Sequence, residues 1–222
     1  MKASRVAIAV VVLVGATVAS SAQNNDRLTI ATDSLETCVV DQPCYQQLRA
    51  GAATAPLQWR IVKGSLPEGL QLDARSGVIS GFATTAAEYE VQIEVSDSSN
   101  PPQTASRSFS SKTVPTLAMD WGTPPTLQTT TISGTVTVSN NAENVLDLTA
   151  IIVAVNERGK AFALGYQHFD LPAKSTELRI TFSSQLPGGR YTIRADAIGE
   201  VAARHRIYRA AREAGAFQVP AQ

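Results

Sequence analysis

Residues 59–97 read WRIVKGSLPEGLQLDARSGVISGFATTAAEYEVQIEVSD. Within this stretch Leu70 and Leu72, and then Val91, Ile93 and Val95, fall at every second position. That period places one set of side chains on one face of an extended strand, so each run predicts a strand with one buried face. Gly64, Pro67, Gly69, Gly77 and Gly81 stand between the runs, where the chain must reverse. The expected elements are strands over 57–62, 69–73, 77–82 and 88–96, with a hairpin across Ala74-Arg75-Ser76-Gly77. Glu88, Glu90, Gln92 and Glu94 then face water, opposite Tyr89, Val91, Ile93 and Val95. The pattern predicts paired, layered sheets.

The segments Gly64-Ser65-Leu66-Pro67-Glu68-Gly69-Leu70, Leu72-Asp73, Gly77-Val78-Ile79-Ser80-Gly81, Tyr89-Glu90-Val91 and Val95-Ser96-Asp97 follow one another in a fixed order. This order resembles the immunoglobulin-like, cadherin-like domain family of bacterial surface proteins, over about residues 28–114. The resemblance implies a non-catalytic module for adhesion, spacing or ligand binding at a cell surface. It implies no particular ligand. The chain departs from the family at Phe82-Ala83-Thr84, which stands where a glycine-proline pair is usual.

Upstream, Lys2 and Arg5 precede an apolar run over 6–18, and Ser20-Ser21-Ala22 offers a small-residue cleavage site. Residues 1–22 therefore read as a signal peptide, with an uncleaved anchor helix as the alternative. The run falls short of the roughly 20 residues a membrane span needs. No other segment is apolar enough to span, and no cysteine follows the cleavage site to carry a lipid. The expectation is a secreted protein, extracellular or periplasmic, at the bacterial cell surface.

Removal of those residues takes away two of 19 basic side chains and none of 19 acidic ones, leaving a charge of 17 − 19 = −2. Such a balance excludes a dense basic face and argues against nucleic-acid binding. The two cysteines, Cys38 and Cys44, are expected to pair as a disulfide in an oxidising compartment. Half of a zinc site is the alternative.

Downstream, a strand over 105–114 is followed by a proline-rich stretch over 115–125, taken as the domain boundary because proline cannot donate to a central ladder. Beyond it, 129–139 alternates and is rich in β-branched residues. Residues 146–156 form an apolar run expected to be a central strand covered on both faces. Further strands are expected over 161–170, 176–182 and 190–198. Residues 200–214 are open between helix and a closing strand, with strand preferred because a sandwich must close. The pattern predicts a second immunoglobulin- or fibronectin-type sandwich over 116–219.

Few residue sets point to chemistry. The only histidines are His168 and His205, and no nucleophile elbow accompanies them. Three glutamates along one strand read as a solvated face rather than a glycosidase pair. Calcium, the one cofactor considered, would draw on Asp97, where a strand enters its turn, and Asp120, at the expected domain junction. Candidate ligand contacts are the aromatic rings of Trp121 and Tyr166, for a polysaccharide, and the basic pair Arg204 and Arg206, read as sharing one strand face.

The sequence thus predicts an all-β, non-enzymatic chain of two immunoglobulin-like β-sandwiches in tandem behind a signal peptide. Its expected role is protein interaction, adhesion or cell-envelope organisation. A carbohydrate-binding accessory module and a calcium-stabilised adhesion domain are the alternatives.

Overall fold

The structure is a computed structural model that describes residues 27–221; the expected signal peptide lies outside the described residues. The N-terminal half, residues 27–114, begins with β1 (Thr29–Ile30), β2 (Cys38–Val39), β3 (Pro43–Gln47) and β4 (Ala50–Gly51). It continues with β5 (Gln58–Gly64), β6 (Leu70–Leu72), β7 (Val78–Phe82), β8 (Ala87–Ser96) and β9 (Thr104–Val114). One sheet runs β2-β9-β8-β5, the other β3-β7-β6, and β1 pairs with β4. Among the described residues only β2 and β9 pair in parallel. The alternation in β8 works as the sequence implies. Val91, Ile93 and Val95 are buried with Trp59, Ile79 and Phe109, while Glu88 and Glu90 are exposed.

The glycines of the motif have steric reasons. Gly77 has a φ of +69°, and a Cβ there would meet the Trp59 indole at 2.6 Å. Gly81 has a φ of +135°, and a Cβ there would run into the carbonyl oxygen of Gly69. The same Gly69 carbonyl accepts the Phe82 amide at 3.1 Å. The motif therefore records two backbones that must touch.

Cys38 and Cys44 form a disulfide. It joins β2 in one sheet to β3 in the other, and so staples the layers of the N-terminal half. Leu70 packs with this disulfide and Ala83 in a small cluster separate from the main core. With a sequence separation of only 6, the closed loop is short. Replacing both cysteines by serine is expected to cost about 2 kcal/mol. The midpoint of denaturant unfolding, with and without reductant, checks this.

The C-terminal half holds β10 (Leu117–Gln128), β11 (Thr131–Asn140), β12 (Leu146–Asn156), β13 (Ala161–Leu171), β14 (Leu178–Gln185), β15 (Gly189–Val201) and β16 (Arg206–Val219). Its sheets are β10-β11-β14 and β13-β12-β15-β16. Strand placement differs between the halves. β6 pairs with β7, but β13 lies beside β12 in the other layer. Different strand placement argues against a duplicated unit.

Two expectations are corrected here. The proline-rich stretch over 115–125, expected as the boundary, is mostly strand. β10 begins at Leu117 and runs through Pro124 and Pro125. It can do so because it is an edge strand with register shifts around Thr123. β12 is central, as expected, but covered on one face only: Leu146, Leu148, Ala150, Ile152 and Ala154 are buried, while Ile151 is 39% exposed. The segment left open, 200–214, is strand as preferred: Glu200 and Val201 end β15, residues 202–204 form a short 3₁₀ turn, and Arg206 begins the edge strand β16.

Among the described residues no strand pairing crosses from one half to the other, and each half has its own buried cluster. Thr116 bonds to both halves. Its hydroxyl donates to the Val40 carbonyl at 2.7 Å, and its carbonyl accepts the Asn141 amide at 2.9 Å. The Gln42 amide donates to the Tyr208 hydroxyl at 3.2 Å. No helix among the described residues is long and apolar enough to cross a membrane.

Candidate functional site

The outward face of the sheet β13-β12-β15-β16 stands apart from the other sheet of this half. Residues directly opposite one another in an antiparallel pair share a face. Along β12 the outward residues are Asp147, Thr149, Ile151, Val153 and Val155, so four of five are β-branched and three are apolar. Ile151 lies directly opposite Tyr166 of β13, which is 63% exposed. On β15 Ile198 lies opposite Thr149, and on β16 Ile207 lies opposite Glu200. Four of the eight exposed large hydrophobics among the described residues lie on this face. The outward residues of β11 and β14 are instead hydroxyl-rich, with Thr135 opposite Thr181 and Ser133 opposite Ser183. Exposed apolar groups gathered on one face with a polar surround mark an interaction surface.

At one end of the face three carboxylates form a row across three strands. Asp170 is opposite Asp147, and Asp147 is opposite Glu200. Like charges in that position repel, at a cost of up to about 1 kcal/mol per pair. Among the described residues, only His168 reaches Asp147, with Nδ1 at 3.4 Å from the carboxylate and 3.1 Å from the Thr149 hydroxyl. Further along, Arg194 pairs with Glu213 at 3.0 Å.

The other candidate residues are scattered. Asp97 lies beside Gln103 at the start of β9, whereas Asp120 lies beyond the far end of that strand. Eleven residues of β9 separate those ends, roughly 30 Å or more of extended chain, so the structure does not bring the two aspartates together. Asp97 serves its turn instead. The Ser99 hydroxyl donates to it at 2.6 Å, and the amides of Gln103, Thr54 and Ser99 add three more bonds. Led by the Ser99 hydroxyl bond, these hold its carboxyl down at about 2. A folded-state value below the ordinary 3.8 means that the stabilisation is present above that pH and fades as pH falls toward 2. Asp97→Asn is therefore expected to lower the melting temperature at pH 7 and to flatten its fall between pH 4 and 2. A melting series across those values checks it.

Asp120 is exposed, accepts the Trp121 amide at 2.8 Å and lies 3.5 Å from the Arg212 guanidinium. Trp121 and Tyr166 do not form one aromatic platform. The Trp121 ring is half-buried against Phe182, at 6.2 Å between centroids, and its indole nitrogen is buried without a partner. Tyr166 is exposed on the opposite layer. Arg204 and Arg206 do not share a strand face, because Arg204 sits in the 3₁₀ turn and Arg206 opens β16. Both histidines are exposed to solvent.

Sequence reasoning missed Ile151, Ile198 and Ile207 because an apolar residue in a strand reads as core. It also missed Tyr45 and Phe82, exposed by 68% and 58%. Phe82 lies opposite Pro43, and Tyr45 opposite Ser80, so both rings lie on the outer face of the sheet β3-β7-β6. The departure from the family pattern at Phe82 was the available signal.

Residues 16–114 match the model of the family described as "Putative Ig domain". No curated protein matches the chain. Similar solved structures include a Bacteroides fragilis protein described as a putative alpha-galactosidase, at 23% identity and TM-score 0.35, covering 40% of this chain and 18% of that one. Mouse cadherin-23 EC22-24 is 15% identical with TM-score 0.34, over 87% of this chain and 67% of that one. Drosophila N-cadherin EC1-4 is 14% identical with TM-score 0.32, over 84% and 49%. The chain spans less than half the length of the Bacteroides and Drosophila chains.

Proposed function

We propose, for a chain whose N-terminal half carries this immunoglobulin-like match, a secreted, non-catalytic interaction module made of two sandwich domains in tandem. The division falls at Pro115 and Thr116, and the module serves adhesion or the organisation of a bacterial cell envelope. Separate sheets and separate cores support the tandem reading. The single observation that carries the interaction role is the outward face around Ile151 and Tyr166, where apolar groups stand in water. The titratable groups add support. The strongly displaced carboxyl, Asp97, is fully engaged in a turn, and Asp73, held below its usual range by the Ser76 amide and hydroxyl, caps the β6–β7 hairpin.

Site-specific photo-crosslinking in the producing cell tests this role. A crosslinker at Tyr166 or Ile151 is expected to trap the same discrete protein adduct. A crosslinker at Thr135 or Ser183, on the hydroxyl-rich layer, is expected to trap none. Identical adducts from both faces, or none from either, would remove the interaction role from this face.

One observation favours a sugar as a second ligand. The exposed rings of Tyr45 and Phe82 neighbour uncharged Ser80 and Gln71 on one sheet face. Retardation of the protein in polysaccharide-containing gels, abolished by Tyr45→Ser with Phe82→Ser, would support it. Equal retardation of the double variant would remove it.

A further inference from the structure

We infer that the outward face of β13-β12-β15-β16 docks a protein segment in which lysine or arginine side chains accompany apolar ones. This rests on the reading of that face as an interaction surface and goes further by fixing the chemistry of what covers it. Two features of the face set that chemistry together. The apolar strip of Ile151, Tyr166 and Ile198 needs an apolar cover. The row Asp170–Asp147–Glu200 beside it needs cations.

The wider face has the same sign. Its outward residues include five carboxylates, the row plus Asp196 and Glu213, against three arginines, Arg190, Arg194 and Arg209. Arg194 is already paired with Glu213 and Arg190 with Glu157 in the β12–β13 turn, which leaves Arg209 as the arginine facing the other four. The three-carboxylate row also opposes folding, since directly opposed like charges destabilise a sheet. A cationic partner would relieve that repulsion on binding. The row thus gives both recognition and a reason why the free face is less stable than it could be. The carboxylates sit on separate strands, spaced at about 4.8 Å per strand, and no group of three acidic, histidine or cysteine side chains among the described residues is placed to hold a metal ion. A spread row suits several long, flexible cationic side chains.

The test uses the full chain and a displayed library of random peptides. Selected peptides are expected to be rich in lysine or arginine next to apolar residues, and to bind less tightly as salt rises. Asp147→Asn with Asp170→Asn and Glu200→Gln is expected to weaken their binding by about tenfold or more, equivalent to about 1.4 kcal/mol or more. Ile151→Ser with Tyr166→Ser should weaken it comparably. The carboxylate variant should also melt at a higher temperature than the natural chain, because it removes repulsion, and that rise shows that lost binding is not lost folding. The inference is overturned if no peptide is selected, if the selected peptides lack basic residues, or if they bind both variants as well as the natural chain. A fall in melting temperature for the carboxylate variant would also overturn it, by making the row structural. A discrete crosslinked protein at Tyr166 combined with any of these outcomes would leave the interaction role standing and remove only the cationic partner.

Discussion

Replacing Asn140 with alanine is expected to destabilise the C-terminal half by about 3 kcal/mol, the cost of stranding several buried backbone groups. Asn140 ends β11 and is fully buried. Its side-chain amide reaches the carbonyls of Asn144 at 2.8 Å, Pro172 at 3.1 Å and Leu171 at 3.2 Å. Its side-chain carbonyl accepts the Ala142 amide at 3.0 Å. One carboxamide therefore satisfies two connections, the β11–β12 turn and the chain leaving β13. Alanine leaves those groups without water or partner. Asn140→Asp is expected to fare no better, since a carboxylate cannot donate to the three carbonyls. Calorimetry should show the higher or lower of two transitions falling by roughly 12–24 °C for a domain of this size. A shift of less than about 3 °C would mean that the turns are held by something else.

Gly81→Val is expected to cost about 4 kcal/mol or more, and in the other half. A β-branched residue at a φ of +135° is strained in itself, and the added carbon meets a backbone oxygen that cannot swing aside. Relief requires β6 to part from β7, which loosens the layer that the disulfide ties down. The variant's near-ultraviolet dichroism should lose the signal of Trp59, which is packed in the N-terminal core, and keep that of Trp121. Loss of both signals together would show that the halves unfold as one unit. Retention of both would show that the β6–β7 contact yields more easily than its geometry implies. The pair of variants also tests the tandem reading, because each should lower a different transition.

Much of the N-terminal half was legible because its constraints are local. Gly77 and Gly81 occupy backbone positions with positive φ, and Val91, Ile93 and Val95 fix which face of β8 is buried. Edge strands were less legible. Pro124 and Pro125 read as a break, yet an edge strand lacks a neighbour on one side and tolerates missing donors. β12 misled for the opposite reason. Ile151, Val153 and Val155 look like core residues, and only the absence of a layer over them among the described residues makes them surface.

By itself the sequence determined an all-β chain, the N-terminal family match, the disulfide pair and the buried side of β8, since a two-residue period and a glycine's φ are properties of neighbours in the chain. Tertiary structure alone decided that the disulfide crosses between layers, that Asp97 and Asp120 stand at opposite ends of β9, and that Asp170, Asp147 and Glu200 fall into one row. Those relations depend on strand order and register. Both are set by pairing between distant segments, which no local pattern specifies.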